Sequence, residues 1–323
     1  MSYISLINKY KPNSIDDFNI DELSKQLLRV YIKNNIMSFV IQGNSSTGKS
    51  SLINVLLNLY YKDKNTINNN TIYINLLKEQ GINYYRNELK NFCHINNISN
   101  LKVKKTIILD DLDLLNEQCQ QIFNTFINTY ENINYIISCN DIQKIKSTII
   151  NKFELIRINN INSHFLIQIL DKILFEENIN LNDNCKDFVI KSSNYSIPNM
   201  INIIEKVKLI EKNTNINIDS LENITCNILL NDFKTYLSLC SNNKIKEATK
   251  FIISICNNGY SVIDILEEFF SFIKNHSNLE DKYKYQIVKI ICSYIHIFNN
   301  IHEDQIELIF LTNNIIKILG KSV

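Results

Sequence analysis

The fold is decided by the stretch Gly43-Asn44-Ser45-Ser46-Thr47-Gly48-Lys49-Ser50. It fits G-x-x-x-x-G-K-[ST], the P-loop pattern, in which backbone N–H groups and a helix N-terminus surround phosphate groups. An apolar, strand-forming segment (39–42) precedes it, and apolar residues at helical spacing follow it over 51–59. The alternative is a chance match in an ordinary loop. The scarcity of glycine, five in the whole chain, argues against that alternative.

The P-loop residues predict a nucleotide site that holds ATP and Mg²⁺. Lys49 is expected to reach the β- and γ-phosphates, and the Ser50 hydroxyl is expected to ligate Mg²⁺. The other candidate nucleotide-binding residues of this segment are Gly43, Asn44, Ser45, Ser46, Thr47, Gly48 and Ser51.

Short apolar strands alternate with helices as far as residue 158. After 39–42, strands are predicted at 71–75, 105–109, 135–139 and 154–158, and a polar loop is predicted at 61–70. Helices are predicted at 21–34, 83–92 and 117–130. The first of them carries Leu23, Leu27, Leu28 and Tyr31 on one apolar face. This alternation predicts a three-layer α/β domain with a parallel sheet.

Beyond residue 158 only helices are predicted. They lie at 163–177, 182–193, 198–212, 228–241, 244–257, 261–274, 280–299 and 302–319, with a polar linker at 213–219. We therefore expect an α/β domain (1–158), a short helical domain (159–218) and a larger helical domain (219–323).

Polar residues follow two of the predicted strands where an α/β sheet places its chemistry. Asp110 and Asp111 end the strand at 105–109, and Asn140 follows the strand at 135–139. Beside a P-loop, Asp110 is expected to hold Mg²⁺ through water, and Asp111 to polarise the attacking water. Asn140 is expected to position the γ-phosphate or that water. The simpler alternatives are polar strand ends, a turn residue, or a helix N-cap at Asp113.

Composition limits the class of protein. The 323 residues carry a net charge of +1, so a nucleic-acid contact would need a local patch, such as Arg86 and Lys90 one helical turn apart. For that pair, a solvated basic face is the simpler alternative. The eight cysteines form no C-x-x-C pair, which argues against a zinc module or a disulfide framework. Without a signal peptide or an apolar span, a soluble intracellular protein is expected, with no membrane partner.

The order of these parts resembles the AAA+ ATPases, and among them the small subunits of the clamp loader replication factor C. The N-terminal arm Asn8-Lys9-Tyr10-Lys11-Pro12 is similar to E-K-Y-R-P, which lies near the adenine and so implicates Tyr10 and Lys11. Residues 75–92 are similar to N-A-S-D-E-R-G-I-x-x-V-R-x-x-I-K-x-F, 110–113 to D-E-A-D, 138–140 to S-C-N, and 258–266 to G-Y-S-x-x-D-I-L. The resemblance covers nearly the whole chain. It makes 159–218 a lid and 219–323 an oligomerising collar.

Four positions depart from the family pattern. The S-R-C motif, whose arginine finger acts on the neighbouring subunit's ATP, corresponds to Asn151-Lys152-Phe153. The lid motif G-D-M-R corresponds to Tyr195-Ser196-Ile197-Pro198, which has no arginine. Asp111 is one methylene shorter than the family's glutamate, and Asn124 and Thr125 replace paired arginines. We therefore expect a subunit that binds ATP·Mg²⁺ but hydrolyses it slowly or conditionally.

The resemblance also implies partners. They are the other subunits of a heteropentamer, a sliding clamp, and primer–template DNA, for which Arg86 and Lys90 are the candidate contacts. A nuclear or viral replication compartment is the expected location. Two alternatives remain open: an architectural subunit with little or no hydrolysis, and another AAA+ replication factor such as an initiator or helicase loader. The all-helical C-terminal third favours the collar over the winged-helix domain that initiators often carry.

Overall fold

The computed structural model describes residues 4–75, 82–94, 103–210, 220–221, 225, 230–275, 279–298 and 302–319. The chain forms two compact units, Met1–Ile218 and Asp219–Val323. A parallel sheet with helices makes up the first, and the second is helical throughout its described part. This confirms the predicted fold class. The three predicted domains, 1–158, 159–218 and 219–323, stay a prediction.

The sheet has five parallel strands in the order β2-β3-β4-β1-β5. They are β1 (Phe39–Gln42), β2 (Thr71–Asn75), β3 (Thr106–Asp110), β4 (Asn134–Cys139) and β5 (Glu154–Arg157). The three central strands are almost wholly buried, which is why each reads as a continuous apolar run. Parallel pairing brings the carboxyl ends of β1, β3 and β4 to one edge, with Gln42 opposite Cys139 and Leu109 opposite Ile137.

Helices cover both faces of this sheet. The helices of the first unit are α1 (Leu6–Lys9), α2 (Glu22–Lys33), α3 (Lys49–Tyr61), α4 (Lys64–Asn70), α5 (Ile82–His94), α6 (Glu117–Thr129), α7 (Ser147–Ile150), α8 (Ser163–Glu177), α9 (Asp183–Ser192) and α10 (Ile197–Ile210). Phe39 and Ile41 of β1 share a core with Leu52 of α3, whereas Val40 shares the opposite core with Phe123 of α6. The sheet is therefore the middle of three layers.

Two local predictions were wrong. The polar segment 61–70 contains helix α4, because Ile67 packs against the core and Thr66 bonds back to the carbonyls of Tyr61 and Asp63. Burial outweighs the low helix propensity of its asparagines. On α2, the predicted apolar face is mostly outside the core. Leu28 is buried, but Leu23 is 73% exposed.

The second unit has a core of its own. Its helices are α11 (Leu230–Ser241), α12 (Ile245–Asn257), α13 (Val262–Asn275), α14 (Asp281–Phe298) and α15 (Ile306–Leu319). Phe233, Tyr236 and Phe269 pack together at its centre. The buried Tyr236 hydroxyl shares a 2.8 Å hydrogen bond with Thr312 Oγ1, so its polar atom has a partner. No helix among the described residues is long and apolar enough to cross a membrane.

Candidate functional site

The loop between β1 and α3 depends on both of its glycines. A Cβ atom on Gly43 would lie 2.7 Å from Thr47 Oγ1, closer than real Cβ contacts come. Gly48 has a φ of +96°, and a Cβ there would lie 3.3 Å from the ring of Phe18. A left-handed backbone of this kind favours glycine. The chain thus turns directly into α3, whose first backbone N–H groups have no acceptor within the helix and can bind an anion.

Lys49 extends its side chain into this loop and meets the tip of β4. Its Nζ donates hydrogen bonds to the carbonyl oxygens of Gly43 (3.0 Å) and Asn44 (3.1 Å) and to Asn140 Oδ1 (2.6 Å). Lys49 is 8% exposed, so these neutral oxygens, rather than solvent, hold its ammonium group in position. An ammonium group bound only to neutral acceptors remains able to attract phosphate oxygens.

The candidate metal ligands lie together at the end of β3. Ser50 Oγ donates to Asp110 Oδ2 at 3.1 Å, and the hydroxyls of Ser138 and Tyr73 also donate to this carboxylate. A hydroxyl and a carboxylate are hard oxygen donors, which fit Mg²⁺. No cluster of three or more His, Cys, Asp or Glu side chains suited to a metal occurs among the described residues.

Asp111 occupies a left-handed backbone position, with a φ of +56°. Its N–H donates to Ser138 Oγ at 2.9 Å, which holds the turn against β4. Burial and the neighbouring Asp110 carboxylate raise the pKa of Asp111, and Lys49 opposes that shift. A carboxylate of raised basicity beside a phosphate site is chemically suited to accept a proton from water.

The sequence offered Asp113 as a possible N-cap of the following helix, but Asp113 does not cap it. It is buried and accepts hydrogen bonds from the N–H groups of Asn140 (3.3 Å) and Asp141 (3.2 Å). The cap of α6 is Asn116, whose side chain accepts from the N–H of Cys119. Asp113 therefore fixes the loop after β4, and with it the position of Asn140.

A cavity of about 710 Å³ opens beside these groups. The P-loop lines it from Ser45 to Ser51, together with Asp111 and Asn140. The N-terminal arm, α8 and the start of α10 form the rest of the wall, through Tyr10, Lys11, Pro12, Phe165, Ile169, Lys172, Pro198 and Ile201 among others. Phosphate-binding groups at one part of a large, partly apolar cavity are suited to a nucleotide.

Several predicted residues fall outside this cavity. Gly43 and Asn44 do not line it, although their carbonyl oxygens bind Lys49. Arg86 and Lys90 are exposed on α5, one turn apart. Lys152 lies just after α7 and donates to Asn124 Oδ1 (3.0 Å) and to Asn128 Oδ1. The structure thus joins two of the departures from the family pattern, Lys152 and Asn124, in one polar contact.

Three groups near the site escaped sequence reasoning. Tyr73 and Ser138 were assigned no role of their own, yet their hydroxyls bind Asp110. Their position near the carboxyl ends of β2 and β4, on either side of β3, is the signal that could have found them. Lys172 lines the cavity from α8. No arginine is among the described lining residues.

Comparison with known proteins shows what the chain is similar to. The model of the "Replication factor C C-terminal domain" family matches residues 229–298. A replication factor C small subunit of Picrophilus torridus is 24% identical over 290 residues, which are 88% of this chain and 89% of that protein. A protein of Acanthamoeba polyphaga mimivirus, assigned to the same small subunits, is 22% identical over 298 residues, 89% of each chain.

These matches support the predicted resemblance of the chain to replication factor C small subunits. The predicted membership in the AAA+ P-loop class is likewise confirmed. Solved structures agree in fold. A DNA polymerase III gamma subunit-related protein from Thermotoga maritima, 14% identical, matches 92% of this chain and 99% of its own with a TM-score of 0.51. A RuvB variant from the same organism, also 14% identical, matches 71% of this chain and 78% of its own with a TM-score of 0.52.

Proposed function

We propose that this protein is a clamp-loader subunit that binds ATP·Mg²⁺ and, within a heteropentamer, helps to open a sliding clamp and load it onto primer–template DNA. One observation carries the nucleotide part. Lys49 with Asn140, and Ser50 with Asp110, form two adjacent hydrogen-bonded pairs at a cavity large enough for a nucleotide. Relatives named as replication factor C small subunits support the clamp-loader part.

Each proposed role follows from the chemistry of the group. Lys49 exchanges neutral oxygens for β- and γ-phosphate oxygens, while the N–H groups at the start of α3 bind the same phosphates. Ser50 and Asp110 would hold Mg²⁺, which would supply positive charge to neutralise the phosphate oxygens. Asn140 orients the γ-phosphate or the attacking water, and Asp111 accepts a proton from that water. Tyr10 and Lys11 border the nucleoside end of the cavity.

We further propose that hydrolysis is slow or conditional, and three observations support this. Asp111 carries a short side chain from a left-handed backbone position. Lys152 is bound to two amide oxygens, and an ammonium group lacks the planar fork of an arginine finger. No arginine is found among the described residues that line the cavity. An arginine finger contributes about 10³–10⁵ in rate, so its loss affects turnover far more than binding.

Isothermal titration of ATP, with Mg²⁺ and with EDTA, tests the nucleotide site. The wild-type chain is expected to bind, and Lys49→Ala to weaken binding at least about a hundredfold, roughly 2.7 kcal/mol. The matched control is Lys152→Ala, which removes a lysine outside the cavity and leaves affinity unchanged in the isolated chain. Equal binding by wild type and Lys49→Ala would refute the site.

Assembly and the alternatives need a separate test. Co-expression with clamp-loader subunits followed by native mass spectrometry is expected to give a heteropentamer. A stable monomer that binds DNA alone would instead favour an initiator or helicase loader, although the family match over 229–298 supports the collar. An architectural subunit, favoured by Asp111 and Lys152, would assemble with no measurable turnover in the complex.

The exposed pair Arg86 and Lys90 is the proposed DNA contact. Such a contact would neutralise backbone phosphates without reading bases, so it would be salt-dependent and independent of sequence. DNA-stimulated turnover of the complex with both residues changed to alanine should show a shallower salt dependence. A replication compartment, nuclear or viral, is the location that this function requires.

A further inference from the structure

A buried carboxylate joins the N-terminal arm to two helices that follow the sheet. Glu177 is the last residue of α8, and its side chain is only 4% exposed. Oε1 accepts hydrogen bonds from Lys9 Nζ and the Tyr10 hydroxyl, both at 2.7 Å, and Oε2 accepts from Lys208 Nζ of α10 at 2.5 Å. Three segments distant in sequence therefore meet on one carboxyl group.

The electrostatics show that this carboxylate is held in its charged form. Burial alone would raise the pKa of Glu177, but the hydrogen bonds from Lys208, Lys9 and Tyr10 lower it to about 2. Burial, with the carboxylate of Glu177, raises the pKa of Tyr10 well above its ordinary value, so the phenol remains a donor at neutral pH. A buried charge is tolerated when both oxygens are hydrogen-bonded to cations, and removing it leaves those cations uncompensated.

Two of the three groups that Glu177 binds belong to the wall of the proposed nucleotide cavity, and the third, Lys208, lies on α10, which contributes Ile197, Pro198 and Ile201 to that wall. Lys9 and Tyr10 line it, as do the next arm residues, Lys11 and Pro12, while Glu177 itself does not. The arm also packs on α10 through α1, in which Leu6 is buried. Glu177 thus stands behind the wall and connects its parts without touching the space that a nucleotide would occupy.

We infer that Glu177 is a positioning residue, which latches the N-terminal arm onto α8 and α10 so that Tyr10 and Lys11 are in place for the nucleotide. The inference rests on the proposed nucleotide site. Because a bound nucleotide would touch both the arm and the helices, nucleotide binding and latching must strengthen each other by the same factor. Without the latch, a nucleotide has to order the arm as it binds. The observed affinity is then the intrinsic affinity multiplied by the fraction of time that the free arm is in place.

The experiment uses Glu177→Gln in the full chain, since the glutamine keeps the size and one acceptor but loses the charge. The matched control is Glu117→Gln, the same change at a side chain that is 87% exposed, pairs with Lys146 at 3.6 Å and lies outside the cavity. Two quantities are measured: the ATP dissociation constant, and hydrogen exchange of the amides in residues 6–12 with and without ATP.

Glu177→Gln is expected to raise the dissociation constant about tenfold or more and to speed exchange in the arm before ATP is added. In the wild type, where the arm is already latched, ATP is expected to slow that exchange modestly. In Glu177→Gln, where ATP has to order the arm, it is expected to slow the exchange by a larger factor at equal saturation. Glu117→Gln is expected to match the wild type in both. A purely structural role would alter basal exchange while leaving the affinity for ATP unchanged, and that result would overturn the inference.

The outcomes separate this inference from the proposed function. If Lys49→Ala abolishes ATP binding but Glu177→Gln binds as the wild type does, only the inference fails. If the wild type does not bind ATP, both fail. Should Glu177→Gln not fold, Tyr10→Phe removes a single donor to the same carboxylate and should weaken ATP binding in the same direction. Unchanged affinity in Tyr10→Phe would then overturn the latch.

Discussion

Lys49 Nζ lies 2.6 Å from Asn140 Oδ1, so the ammonium group of the P-loop and the amide at the tip of β4 are direct hydrogen-bond partners. Asn140 directly follows β4, and Lys49 begins α3 after the loop that leaves β1, the strand paired with β4. The parallel pairing of β1 and β4 therefore brings the two residues to the same edge of the sheet. Asn140 is therefore placed to orient the Lys49 side chain and to influence the electrostatic environment of its ammonium group.

Introducing a negative charge at position 140 should weaken ATP binding. Asn140→Asp replaces a neutral acceptor by a carboxylate of the same shape, which would bind the ammonium tightly and repel phosphate. We expect ATP affinity to fall at least about tenfold, or 1.4 kcal/mol. Asn140→Ala is the control, with near wild-type affinity and lower turnover. Titration calorimetry of the two variants distinguishes them, and tight ATP binding by Asn140→Asp would contradict this account of Lys49.

Ser50 and Asp110 should control the dependence of binding on Mg²⁺. Ser50→Ala and Asp110→Asn each remove one hard oxygen donor from the pair. We expect ATP affinity in EDTA to stay close to that of the wild type, while the gain in affinity on adding Mg²⁺ shrinks. The measurement is a pair of titrations for each variant. A full Mg²⁺ effect in both variants would show that the metal is held elsewhere.

Asp111→Glu tests whether the short carboxylate limits hydrolysis. The longer side chain should raise turnover of the assembled complex, since general-base contributions reach about 10²–10⁴ when the group is well placed. It should also destabilise the protein, because a glutamate tolerates the left-handed position less well than an aspartate, at a cost of about 1 kcal/mol. Steady-state turnover and thermal melting report the two effects. Lower turnover at unchanged stability would exclude this explanation.

Gly43 of the P-loop and Gly259 of the second unit allow a steric prediction with an internal control. Gly43→Ala would force its Cβ to within 2.7 Å of Thr47 Oγ1, so the loop must shift and ATP affinity should fall. Gly259→Ala is strained as well, with a φ of +101°, but its Cβ would meet nothing within 4 Å. We expect it to lose about 1 kcal/mol of stability and no affinity. Loss of affinity in Gly259→Ala would mean that the steric argument is wrong.

The latch at Glu177 predicts a dependence on pH. The pKa of this group falls from 4.5 to about 2 in the folded chain, so its stabilising effect is complete above 4.5 and disappears as the pH approaches 2. Urea unfolding of the wild type and of Glu177→Gln should therefore differ most near neutral pH and converge in acid. A difference that stays constant from pH 7 to pH 3 would rule out ionised Glu177 as its source.

The sequence predicted the sheet and much of the site because these depend on local patterns. Continuous apolar runs mark β1, β3 and β4, and Asp110, Asp111 and Asn140 follow strands whose ends share an edge. Helix α4 was missed because its asparagines form helix only when Ile67 is held by the core. On α2, helical spacing placed Leu23 with Leu28 but could not show that Leu28 is buried while Leu23 is 73% exposed.

Other features depend on partners far along the chain. Glu177 reads as one charge in a helical segment, yet it binds Tyr10 and Lys9, more than 160 residues earlier. Tyr73 reads as an ordinary strand residue until β2 is placed beside β3. Their roles follow from tertiary proximity, which periodicity and motif spacing do not encode.

The strand order has a consequence for how the chain folds during synthesis. Phe39 of β1 pairs only with Ile136 of β4 and Glu154 of β5, both synthesised long after it. At ribosomal rates, β1 therefore emerges on the order of ten seconds before its partners exist. During that interval its unpaired edge and apolar side chains are open to the wrong contacts. The strand that precedes the phosphate loop is thus open to misfolding contacts until β4 and β5 have been made.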